Sequence, residues 1–124
     1  MDRKALAEET RLIVEQGYYV NPAGVRTSIS TFVEKARKGT KLYRPEEIQA
    51  LIDLPGTPAG KPMKLEVTAE STAEAAIRLI RNYGVLDVAA LNFASAKNPG
   101  GGWLGGARAQ EEDLAISSGL VTCL

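Results

Sequence analysis

The segment from Met63 to Leu91 constrains this chain most, because it spells a strand, a helix and a second strand with short joints. "MKLEVTA", Met63 to Ala69, alternates apolar and polar residues, the period-two pattern of a strand with one wet face. "STAE" places Ser71 and Glu74 as a capping box, and Ala73, Ala76, Ile77 and Ile80 then form one helical face up to Gly84. "VLDVAAL", Val85 to Leu91, is a mostly apolar run of strand length, as in a sheet covered on both faces. The pattern is a βαβ unit with a right-handed crossover, which puts the chain in the α/β class. Ligands of such sheets gather outside the carboxyl ends of the strands. The segment after Leu91 is therefore the first place to look for a site.

That segment runs into "NPGGGWLGGARAQEED", with five glycines between Gly100 and Gly106 and then Glu111, Glu112 and Asp113 in succession. Backbone without Cβ atoms curls tightly and can turn its N–H groups on an anion, so Gly100, Gly101 and Gly102 are candidate diphosphate contacts. Trp103 and Leu104 sit inside the loop, where a mere linker would not carry them, and Trp103 joins the candidate binding residues with Gln110. Asn92 and Asn98 frame the loop and are placed to bond ribose hydroxyls; a turn-forming role stays open for both, especially for Asn98 ahead of Pro99. "GGGWLG" also fits G-x-G-x-x-G, but no helix opens at its third glycine and no acid-ended strand follows, so a dinucleotide-binding reading is weak. "QEEDLAISS" reads as the last helix, ended by Gly119. Acidic residues favour helix N-termini on general grounds. Neighbouring helical residues point about 100° apart, so Glu111 and Glu112 cannot be an opposed glycosidase pair. If they work together, one moves a proton while the other holds a sugar hydroxyl.

The N-terminal half reads as local elements. Residues 2–16 form a surface helix with Lys4/Glu8 and Arg11/Glu15 at i,i+4, stopped by Gly17. "YYV", "NPAG" and "VRTSI" form a β-hairpin. "TFVE", Thr31 to Glu34, opens a short helix that Gly39 ends, and "RPEEIQALIDL" puts Pro45 at a first helical position with Glu46 and Glu47 in the first turn. "PGTPAGKP" is a loop by composition. The expected division within one domain is 1–60 as a helical and hairpin extension and 61–124 as the βαβ core. Lys35, Arg37, Lys38, Lys41 and Arg44 form a basic run that reads as a solvated face.

Composition removes several chemistries. The sequence has no histidine, which excludes Ser-His and Cys-His nucleophiles and His-liganded zinc. Ser95 and Cys123 thus lack a base, and the single cysteine cannot form an internal disulfide. Fifteen basic and fifteen acidic residues cancel, giving no case for direct DNA binding. With no membrane-length apolar run and no signal-peptide core, the expected setting is cytoplasmic without a membrane partner. "SSGLVTCL" closes the chain on an apolar run, as if it were cut in mid-domain.

Taken together, "GGG", seven residues and "QEE" (Gly100–Gly102, Gln110–Glu112) resemble the signature of poly(ADP-ribose) glycohydrolases, and "LNFASAKNPGGG" is similar to the microbial type. The resemblance implies a three-layer α/β/α macrodomain-like fold and a poly(ADP-ribose) or ADP-ribosylated-protein substrate, with no metal or cofactor. It implies that Glu112 protonates the leaving 2′-oxygen of a ribose–ribose linkage and then activates water. Glu111 would hold hydroxyls of the reacting and leaving sugars, and Gly100–Gly102 would wrap the diphosphate and distal ribose. Animal-type members carry D-F-A-N where this chain has Asn92-Phe93-Ala94-Ser95, so Asn98 is the substitute candidate for holding ribose. Family domains also continue past QEE with further strands, a second phosphate loop and an adenine-stacking aromatic, which marks this chain as an N-terminal portion. Rival expectations are a non-catalytic ADP-ribose-binding module, an inactive fragment of the hydrolase, and a dinucleotide-dependent oxidoreductase.

Overall fold

The computed structural model describes residues 2–56 and 63–124. The chain forms two compact units: residues up to Gly39 together with Glu70–Leu124, and Thr40–Ala69. The N-terminal helix and hairpin thus fall in the same unit as the glycine loop.

In the larger unit, α1 (Arg3–Gln16) ends where Gly17 turns left-handed at φ 76° and returns its N–H to the Ile13 carbonyl. Arg11 bridges Glu8 and Glu15 at 2.7 and 2.9 Å, so Glu8 pairs forward with Arg11 rather than back with Lys4. Strands β1 (Tyr18–Val20) and β2 (Arg26–Ser28) pair antiparallel, Tyr18 opposite Ser28 and Val20 opposite Arg26. Their turn is held by Asn21, whose side-chain oxygen accepts the Ala23 and Val25 N–H groups at 3.0 Å each. Helix α2 (Ser30–Gly39) starts one residue ahead of the expected Thr31, with the Ser30 hydroxyl donating to the Gly17 carbonyl at 3.0 Å. The anticipated capping box opens α4 (Thr72–Tyr83): Ser71 N–H donates to Glu74 at 2.8 Å and Glu74 N–H to Ser71 Oγ at 3.3 Å. Gly84, at φ 64°, closes it. Two short 3₁₀ turns, Trp103–Gly105 and Leu120–Thr122, flank α5 (Gln110–Ser117).

The core of this unit lies where α1 crosses α5 and the glycine loop. Ala7 and Ala115 are fully buried, and their small side chains let the two helices approach closely beside Ile116, Trp103 and the partly buried Val121. Thr10 Oγ1 donates to the Ile116 carbonyl at 2.6 Å, and Arg3 reaches Asp113 at 2.6 Å and the Ala107 carbonyl at 3.1 Å. These bonds fix α5, and with it the acidic run, against α1.

The smaller unit contains α3 (Pro45–Ile52), with Pro45 in the first turn as expected and Arg44 N–H capped by Glu47 at 2.7 Å. Most of the expected loop "PGTPAGKP" lies outside the described residues. The expected strand at Met63–Ala69 carries no regular secondary structure, and Val67 is 93% exposed.

The same correction applies in the larger unit to Val85–Leu91, which forms no ladder and leaves Leu86 96% exposed. Among the described residues the one sheet is the β1–β2 hairpin. The expected βαβ core is represented by its helix alone. An apolar pattern of period two says which side chains want burial, but a strand also needs neighbours for its N–H and C=O groups. Among the described residues no second strand pairs with either run. No described helix is long and apolar enough to cross a membrane.

Candidate active site

The loop after Leu91 is folded by turn chemistry first. Asn98 accepts the Gly101 N–H at 2.8 Å, closing a turn with Pro99 second and Gly100 third at φ +78°. That is the arrangement of a type II turn, which wants proline and then a residue free to take positive φ. Ser95 Oγ accepts the Asn98 N–H at 3.2 Å, so Asn98 works here through its backbone as a turn former.

The first turn of α5 then binds the loop in register, each successive side chain reaching further along it. Gln110 donates to the Leu91 carbonyl at 2.7 Å and accepts the Phe93 N–H at 2.9 Å. Glu111, only 3% exposed, accepts the Ser95 N–H at 2.7 Å on one oxygen and the Gly100 N–H at 2.9 Å on the other. Half-buried Glu112 accepts the Gly102 N–H at 3.0 Å. Asp113 points the other way, to Arg3, and so is neutralised outside this cluster.

Gly101 explains why the loop gives up side chains. Its φ is +61°, and a Cβ there would overlap Glu112 Oε1 and lie 2.8 Å from Glu112 Cδ and 3.3 Å from Glu111 Oε2. A Cβ on Gly100 would press on the Trp103 ring at 2.9 Å. The glycines make room for two carboxylates above and an indole below.

The geometry around the expected binding residues is as follows. The N–H groups of Gly100, Gly101 and Gly102 all have partners within the chain, namely Glu111, Asn98 and Glu112, so they do not stand open to a diphosphate. Trp103 is 7% exposed and packs in the core cluster with Ala7, Ala115 and Ile116. Gln110 spends its amide on the chain itself. Asn92 keeps the position expected of it beside the loop, and its Oδ1 is buried without a partner. Sequence reasoning missed Ser95 and Arg3, the first because its backbone N–H does the work, the second because it lies more than a hundred residues from Asp113. No group of His, Cys, Asp and Glu among the described residues is arranged to hold a metal ion.

A helix-borne carboxylate pair seated in a glycine turn defines the class of domain. The chain belongs to the microbial-type PARG catalytic domain family, whose model matches residues 7–124. The crystal structure of poly(ADP-ribose) glycohydrolase (PARG) from Thermomonospora curvata is 49% identical, with a TM-score of 0.90 over 98% of this chain and 44% of its own. The structure from the same organism bound to the inhibitor ADP-HPD is 47% identical, with a TM-score of 0.85 over 98% and 42%. A glutamate-to-alanine mutant from that organism is 46% identical, with a TM-score of 0.86 over 98% and 43%. The chain thus spans less than half the length of these solved structures. Comparison with curated proteins gave no match.

Proposed function

We propose that this chain contributes the catalytic loop and helix of a macrodomain-like α/β/α glycohydrolase domain that cleaves the ribose–ribose O-glycosidic bonds of poly(ADP-ribose) and releases ADP-ribose. The observation that carries this reading is the seat of Glu112, a half-buried carboxylate over a glycine whose missing Cβ leaves space for it. The family match and the likeness to the T. curvata structures support the same substrate class.

The geometry supports the following division of roles. Glu112 Oε1 accepts the Gly102 N–H, so the proton of the acid form belongs on Oε2, which must face the bond to be cleaved. That proton passes to the leaving 2′-oxygen as the glycosidic bond breaks and an oxocarbenium ion forms on the other ribose. The resulting carboxylate takes a proton from water as the water oxygen bonds to the anomeric carbon, which restores the acid. Glu111 holds Ser95 and Gly100, and its remaining lone pairs are the ones left for sugar hydroxyls. The diphosphate reaches the Gly102 amide only by displacing the Glu112 bond, which is exposed where the Glu111 bond to Gly100 is buried.

Glu112→Gln tests the assignment: it keeps the shape and the Gly102 bond but loses the transferable proton. ADP-ribose release from polymer should fall roughly 10²–10⁴-fold. Undiminished release would sink the acid/base role. Calorimetry with ADP-ribose on the same proteins separates a hydrolase from a binding module, which would bind without turnover.

A further inference from the structure

Gln110 takes no part in the proton transfers above, yet its amide is used more fully than either glutamate's carboxylate. Nε2 donates to the Leu91 carbonyl at 2.7 Å and to Thr72 Oγ1 at 3.1 Å, while Oε1 accepts the Phe93 N–H at 2.9 Å. The two backbone groups belong to the residues on either side of Asn92. A residue in a neighbouring parallel strand bonds in this way, giving its N–H to one residue and accepting from the residue two further on. The side chain thus copies one residue of a paired strand.

The geometry points to Gln110 as a positioning residue, a one-residue substitute for a strand neighbour that locks the 91–93 segment and the start of α4 to the first turn of α5. Its effect reaches the site through the chain. Leu91–Phe93 leads into Ser95 and the Gly100 turn, both tied to Glu111, and Gly102 is tied to Glu112. Without Gln110, the loop and the two carboxylates lose their common reference. Both carboxylates would still be present but would be displaced from the sugar. This inference rests on the glycohydrolase reading for its kinetic consequence, although the geometric part stands without it.

The test compares Gln110→Ala, which removes all three bonds, with Gln110→Glu, which keeps the acceptor for Phe93 but sets a carboxylate against the Leu91 carbonyl. In both, kcat for ADP-ribose release should fall about 10–100-fold, as expected for a displacement near 1 Å. KM should move by less than about threefold, because Gln110 spends its own bonds within the chain and makes none to the substrate. Amide hydrogen exchange at Phe93 should quicken in Gln110→Ala and stay slow in Gln110→Glu. Unchanged kcat in both variants would overturn the proposal, as would a raised KM at constant kcat, which would make Gln110 a substrate contact. If Gln110→Ala fails to fold, Thr72→Val removes only the third bond; it too should lower kcat at constant KM, and an unchanged kcat would count against the role. Absence of ADP-ribose release by the unsubstituted protein would defeat the glycohydrolase reading, and Phe93 exchange would still decide whether Gln110 holds this segment.

Discussion

Gly101→Ala separates the two reasons for the triple glycine. At φ +61° an alanine pays the left-handed cost of about 1–2 kcal/mol wherever it stands. The new methyl would also sit 2.8 Å from Glu112 Cδ, where ordinary contact begins at 3.4 Å, besides overlapping Oε1. The carboxylate must therefore retreat by roughly 0.6 Å or more, or the loop must open by as much, and misplacement on this scale costs up to about 10²-fold in turnover. Gly24→Ala is the control: its φ of +77° carries the same backbone cost, but nothing lies within 4 Å of its Cβ. Thermal melting of the two variants should shift by similar amounts, while ADP-ribose release falls only in Gly101→Ala. Hydrogen exchange at the Gly102 amide, the group that Glu112 accepts from, reads the same displacement without turnover and should quicken. Near-wild-type release together with unchanged Gly102 protection in Gly101→Ala would refute the steric account of the loop.

Two other outcomes follow from the hydrogen bonding. Glu111→Gln offers one oxygen where two backbone donors converge, so a buried N–H faces an NH₂ group, and stability should drop by about 1–3 kcal/mol. An unchanged Tm would show that Glu111 is not the clamp. Hydrogen bonds from the backbone N–H of Ser71, and then from its hydroxyl, hold the Glu74 carboxyl below its usual value of 4.5. The stability this confers is present above pH 4.5 and is lost as pH falls through the lowered folded value. Glu74→Gln keeps the cap and removes the titration, so Tm should fall less steeply below pH 4.5 than in the unsubstituted protein; identical acid limbs would contradict this.

What could be read in the sequence is what short-range geometry decides. The Ser71–Glu74 box, Pro45 in the first turn of α3, the Asn21 hairpin turn and the glycine stop at Gly17 each close bonds among residues a few positions apart. Backbone geometry brings such partners together whatever the rest of the chain does. The site was visible in the same way, as a glycine run at a set distance from paired glutamates. That Glu111 turns its carboxylate onto Ser95 and Gly100 was not visible, because those bonds depend on where α5 docks. Nor was the burial of Trp103, which follows from the closeness of α1 and α5 at Ala7 and Ala115. The apolar pattern of Val85–Leu91 stated a demand for neighbours and could not say whether they would be met. By itself, then, the sequence determined the helices and the turns and singled out the candidate residues for the chemistry. Only the tertiary structure decided which way those residues face, because the hydrogen-bond partners that aim them lie on elements joined by packing rather than by proximity along the chain.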